Sequence, residues 1–255
     1  MSPDALSLTL YIGVVFLLSG LVKGVVGMGF PTIAIALLGL ALPPAGAAAL
    51  LIVPSLVANV WQMLAGPALP ALARRLATMM VGVAVGTALT IGVLTGASSG
   101  LARAALGAIL LGYGVYGLWG RGFQVSAAAQ ARWSPLVGLV TGLIAGATGV
   151  FAIPAVPYLN AIGLTRDELI QALGLSFTVS TAALALALAA SGQYSVAAAA
   201  GSLFAVLPSV AGDIFWRSRW PTNMPATFRR WFFAGLILLG LSMLAKALHT
   251  AWVVS

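Results

Sequence analysis

Apolar runs separated by short polar or charged turns fill the chain from end to end. Ten can be marked, at roughly 5–27, 31–42, 45–65, 76–97, 101–119, 133–149, 152–164, 168–190, 195–214 and 231–250. At a rise of about 1.5 Å per residue, eight of them are long enough to cross a hydrocarbon core of about 30 Å. The second and seventh are short, about 18–20 Å by the same rise. No series of alternating ten-residue segments, the mark of a membrane β-barrel, is present. In lipid every backbone polar group has to be satisfied within the protein, so the pattern predicts an all-α polytopic membrane protein.

Both short segments begin at a glycine and proline interruption, and the two interruptions match. Residues 20–31 read GLVKGVVGMGFP and residues 142–154 read GLIAGATGVFAIP. Gly20, Gly24 and Gly27 are spaced four and three apart, and Gly142, Gly146 and Gly149 repeat that spacing 122 positions later. Pro31 and Pro154 follow, and suit the first turn of a helix, where a missing N–H costs nothing. The duplication divides a single transmembrane domain, 1–255, into a repeat of about 1–122 and another of about 123–255. Five segments per half is an odd number, so related halves are expected upside down with respect to each other, as inverted repeats.

Charge adds sidedness. Arg74, Arg75, Arg121, Arg132, Arg166, Arg217, Arg219, Arg229 and Arg230 follow odd-numbered segments, which puts nine of the twelve basic residues on one face. That face is expected to be cytoplasmic, with both termini outside. The 66–75 loop is basic and its counterpart near Ser191–Ser195 is uncharged, while the nearly neutral 96–103 loop corresponds to the basic 215–230 stretch. Opposite sidedness in each pair is what inversion requires. The charges are equally compatible with short segments that cross and with hairpins that dip to the midplane.

Composition agrees and excludes other classes. The chain is 61% hydrophobic and 6% charged, with a net charge of +8. The positive charge sits in short loops, so nucleic-acid binding is not implied. The opening MSPDALS has no basic residue, so the first run is expected to stay as a membrane segment. With no Cys, one His and four acidic residues, there is no disulfide framework, no metal-ligand spacing, no nucleophile beside a base and no phosphate loop. Neither an enzyme nor a cofactor is expected.

The remaining chemistry lies in a few polar residues. Lys23, near the end of the first segment, is either an anion ligand or gate, or a lysine that snorkels to the interface. Gly27, Met28, Gly29, Phe30, Pro31 and Thr32 form the first break. Thr148, Gly149, Val150, Phe151 and Pro154 form the second. Helix N-termini at the breaks would present unpaired N–H donors and a positive dipole end to an anion. Gly20, Gly24, Gly142 and Gly146 are read as a packing stripe. Ser55, Asn59 and Gln62 share one face of the third segment, and Gln171, Ser176, Thr178 and Ser180 lie in the eighth. They are either a polar wall of a pathway or hydrogen bonds between helices; Asn59, Gln62, Gln171 and Ser176 join the candidate site. Thr165 and Glu168 have the spacing of a capping box, and Asp213 has Arg217 four residues on, a structural pairing.

At GLVKGVVGMGFPTIAIALLGL, and again at GLIAGATGVFAIPAVPYLNAIGLTRDELIQALGLSFT, the chain resembles the TauE/SafE sulfite exporter family, also called the toluene-sulfonate uptake permease group. The resemblance implies a secondary transporter of a small anion, such as sulfite, a sulfonate or a related organosulfur or carboxylate anion, in a bacterial inner membrane. It implies a coupling ion, H+ or Na+, beside the lipid bilayer. Val150 and Phe151 stand where the family commonly has a further glycine, and Phe151 would narrow that side of the site. An anion channel, or a membrane subunit serving a partner enzyme or ATPase, is the alternative.

Overall fold

A computed structural model describes residues 3–26, 29–96, 99–120, 122–219 and 226–254. They form eleven helices: α1 (Pro3–Val26), α2 (Phe30–Ala41), α3 (Pro44–Leu64), α4 (Leu69–Thr95), α5 (Ser99–Trp119), α6 (Ala127–Thr148), α7 (Ala155–Ala161), α8 (Arg166–Ala190), α9 (Val196–Phe204), α10 (Val206–Arg219) and α11 (Ala226–Val254). Among the described residues there is no β-strand. Among the described residues, seven spans are long and apolar enough to cross a membrane: one each in α1, α3, α4, α5, α8 and α11, and one across α9 and α10 together, Ala198–Phe215.

Three expectations are corrected. The sixth segment forms α6, whose 22 residues are less apolar than the seven spans because its opening turns carry Gln130, Arg132, Ser134 and Pro135. The ninth segment is two helices that abut at Ala205. Pro208 lacks the N–H that the Phe204 carbonyl would accept, and the helix breaks there. Arg74 and Arg75 lie inside α4 rather than in a loop, and Arg132 lies inside α6; Arg121 lies outside the described residues. Finally, the seventh segment shrinks to the seven residues of α7, and Pro154 stands at its N-cap rather than inside its first turn. Arg75 reaches across to donate to the Ile162 carbonyl at 2.7 Å, and Gly163 turns the chain with φ 72°.

The other ends follow local chemistry. Thr165 caps α8 in a closed capping box: Glu168 Oε2 accepts from the Thr165 amide and hydroxyl at 2.9 Å each. Ser126 caps α6 and Ser195 caps α9. Pro43 and Pro44 open α3. Inside α3, Pro54 leaves the Leu50 carbonyl without its helical donor. Ser202 of α9 fills the gap; its hydroxyl donates to Leu50 O and accepts from Val53 N, both at 2.9 Å.

The helices pack in pairs: α4 with α6, α5 with α11, α1 with α10, and α3 with α8. In addition, α4 lies on α8 and α3 lies on α9. The α3 and α8 pair is central, with 50% and 56% of their most apolar windows buried, against 22% in α11. Leu89, Leu186, Leu238 and Leu248 project outward, as residues facing acyl chains do. Between α4 and α6 the backbones touch. Gly82 lies against Pro135 and Leu139, and Gly86 against Leu139 and Leu143, so the two helices advance side by side in the same direction. Gly20 lies against Ser209, and Gly212 against Leu17 and Leu21, across α1 and α10. Lipid tails are as apolar as leucine, so helices in a membrane gain from such close fit rather than from leaving water.

Candidate functional site

The polar face of α3 points into the protein. Ser55, Asn59 and Gln62 are all buried, and so are Ser176 and Ser180 on the partner helix α8. Each of α3 and α8 thus carries a buried polar pair at i,i+4: Ser55 with Asn59, and Ser176 with Ser180. Asn59 Nδ2, Gln62 Oε1 and the hydroxyls of Ser55, Ser176 and Ser180 have no hydrogen-bond partner in the protein. Buried polar groups are nearly always paired, so such a seam calls for water or a ligand.

Lys23 meets this seam. Its side chain is 3% exposed, and Nζ donates to Asn59 Oδ1 at 3.3 Å. The ammonium is turned into the protein rather than out to the interface. It lines a cavity of about 430 Å³ together with Phe30, Trp61, Gln62, Ser209 and Asp213. Gln62 is held there by its Nε2, which donates to Ile170 O at 3.0 Å. A lysine deep in a bilayer costs about 3 kcal/mol on insertion scales. The facing Asn59 amide lowers that cost.

At the first break, Gly29 has φ 90° and caps α2, with Pro31 in the first turn. Phe30 packs on Phe16, ring centroids 6.0 Å apart, and Thr32 is buried. Gly27 and Met28 lie outside the described residues. At the second, Gly149 has φ 74° and ends α6, its amide donating to Ala145 O at 2.7 Å. The Val150 amide donates to the Thr148 hydroxyl at 3.2 Å, so two backbone donors of the motif are used inside the protein. A Cβ on Gly149 would collide with Ile35 of α2. Phe151 stacks obliquely on Phe177, beside Ser176, at 5.4 Å.

Of the sequence-derived residues, the cavity gathers Lys23, Phe30 and Gln62, with Asn59 bonded to Lys23. Thr148, Gly149, Val150 and Phe151 do not line it. Pro154 lines a different, apolar cavity of about 600 Å³ with Tyr116, Trp133 and Pro157. Gln171 is occupied elsewhere, tying the loop between α3 and α4: it donates to Met63 O at 2.9 Å and to Gly66 O, and accepts from Ala68 N at 2.9 Å. Asp213, Trp61 and Ser209 are lining residues that sequence reasoning left out. Asp213 carried a signal, as one of four acidic residues in the whole chain. Among the described residues, no three His, Cys, Asp or Glu gather as metal ligands.

The family model described as sulfite exporter TauE/SafE matches residues 12–243, nearly the whole chain. The chain belongs to the TauE/SafE family. No curated protein and no solved structure matches it. TauE/SafE membership, with seven helices able to span, makes this a multi-pass membrane protein of a transporter family. The match runs through both glycine breaks and through Lys23, Asn59 and Asp213.

Proposed function

We propose that the protein is a secondary transporter that moves a small anion, such as sulfite, a sulfonate or a related organosulfur or carboxylate anion, across a bacterial inner membrane by alternating access. The observation that carries this reading is the buried Lys23 ammonium, bonded to Asn59 at the wall of a cavity between membrane helices. An intramembrane cation that faces a cavity is a ligand site by default. The unpartnered groups on α3 and α8 extend the site toward the second break. Lys23, Asn59, Gln62 and Ser176 bind the anion in this reading, and the breaks at 27–31 and 148–154 border it. Gln171 acts by holding the loop beside it.

Alternating access is built on two inverted repeats, about 1–122 and 123–255. Helix pairing supports them. Exchanging α1 with α6, α3 with α8, α4 with α9–α10 and α5 with α11 turns the α1–α10 contact into the α6–α4 contact and leaves α3–α8 and α5–α11 in place. Both termini are outside in this arrangement. A single cysteine placed in the 215–230 stretch of this Cys-free chain is then expected to resist an impermeant thiol reagent added to intact cells. Labelling there overturns the orientation.

The function is tested with purified protein in vesicles. An imposed proton or sodium gradient is expected to drive a labelled sulfonate or sulfite above its equilibrium level. Flux that only equilibrates the anion identifies a channel. Flux that needs a copurifying soluble subunit identifies part of a larger machine.

A further inference from the structure

The Lys23 cavity changes character from one side to the other. Lys23, Gln62 and Ser209 line it and are buried. Val57, Trp61, Val210 and Ile214 line it too and are exposed, Trp61 by 79%. Asp213, also in the lining, is half-buried. The exposed residues form two apolar pairs at i,i+4, Val57 with Trp61 on α3 and Val210 with Ile214 on α10. Each pair lies within a stretch able to cross a membrane, Pro44–Leu64 and Ala198–Phe215. In a bilayer this open edge meets acyl chains. The cavity therefore has a buried polar end and an apolar mouth between two membrane helices.

A bare inorganic anion uses only the polar end. It gives up water on entry and finds apolar walls beyond the ammonium. A tail on the same molecule meets those walls and adds its own burial to the binding. Sites of this kind orient a ligand by a few polar groups and draw affinity from the apolar remainder. We propose that the site selects amphiphilic anions, with the charged head at Lys23 and one apolar tail lying between α3 and α10, open to the lipid. This rests on the anion-transporter reading above and narrows its substrate class to organic anions that carry an alkyl or aryl tail.

The test uses full-length purified protein in lipid nanodiscs, with empty discs as the blank for partitioning. Saturable binding is measured for sulfite and for methane-, butane- and hexanesulfonate. Kd is expected to fall about fourfold for each methylene buried, with sulfite weaker than hexanesulfonate. Trp61→Ala is expected to narrow the affinity ratio between hexane- and methanesulfonate by about tenfold. The series on the unmutated protein decides the preference even if that variant does not fold. A spin label on Ile214→Cys, in this Cys-free chain, is expected to collide with dissolved oxygen more than with a water-soluble nickel chelate. A Kd that is flat along the series, or sulfite binding tighter than hexanesulfonate, overturns the amphiphile preference and leaves the transporter reading in place. An unchanged ratio in Trp61→Ala overturns the place of the tail, and greater access to nickel overturns the opening to lipid. No saturable binding of any of the four anions overturns both readings.

Discussion

Lys23→Ala is expected to weaken binding of a sulfonate anion by about 100-fold, equivalent to about 3 kcal/mol, while the protein still reaches the membrane. The size follows from burial. With 3% exposure, the ammonium acts where water does not screen it, and a partner anion there loses a full charge-assisted contact. The fold is expected to survive, because alanine is the best helix former and the substitution removes a charge that is costly in lipid. Truncation also leaves Asn59 Oδ1 without its donor. Residual binding is thus expected to be poorest for the most highly charged anions. The measurement is the Kd of the purified variant beside its thermal unfolding temperature. An unchanged Kd would remove Lys23 from the site.

Gly142→Val is expected to abolish accumulation of folded protein, a loss of about 3 kcal/mol or more. A Cβ at this position runs into the Val83 carbonyl and comes within 2.9 Å of the Thr87 amide, both backbone atoms that cannot turn away. The neighbours Gly138 and Gly146 face Met79 and Thr87 in the same manner, so separating α4 from α6 at one point opens the whole seam. Gly112, on α5, has open space around its Cβ position and is the control expected to tolerate alanine. Equal yields of Gly142→Val and wild type in detergent extracts, with matching unfolding temperatures, would show that the seam yields.

The pattern of apolar runs located most of the helices because a bilayer forces every span to declare itself in composition. Segments near 45–65 and 168–190 became α3 and α8 with ends shifted by a residue or two. The capping box at Thr165 was legible because both of its bonds are local. Errors fell where tertiary partners decide. Arg75 looks like a loop charge in sequence, but it extends into α4 because its guanidinium finds Gln130 Oε1 and the Ile162 carbonyl. Asp213 lines the Lys23 cavity, a placement set by the register between α1 and α10, which spacing along one helix does not reveal. At break two, Thr148 uses its hydroxyl to take the Val150 amide, a bond that glycine spacing does not reveal. Ser55 and Ser180 were visible as polar residues. Their lack of partners is a property of the packed seam.

The Ser202 bridge to α3 bears on biogenesis. Ribosomal synthesis delivers Leu50, Val53 and Pro54 about 150 residues before the hydroxyl that completes their helix, a separation of 149 and 152 along the chain. Through that interval the newly inserted α3 has the Leu50 carbonyl in lipid without a donor from its own helix. A nascent amino-terminal half is therefore an unfinished product. It has to shelter this defect with water, a neighbouring chain or the insertion machinery until α9 arrives. In this chain the last hydrogen bonds of a helix from the first half wait for a residue of the second.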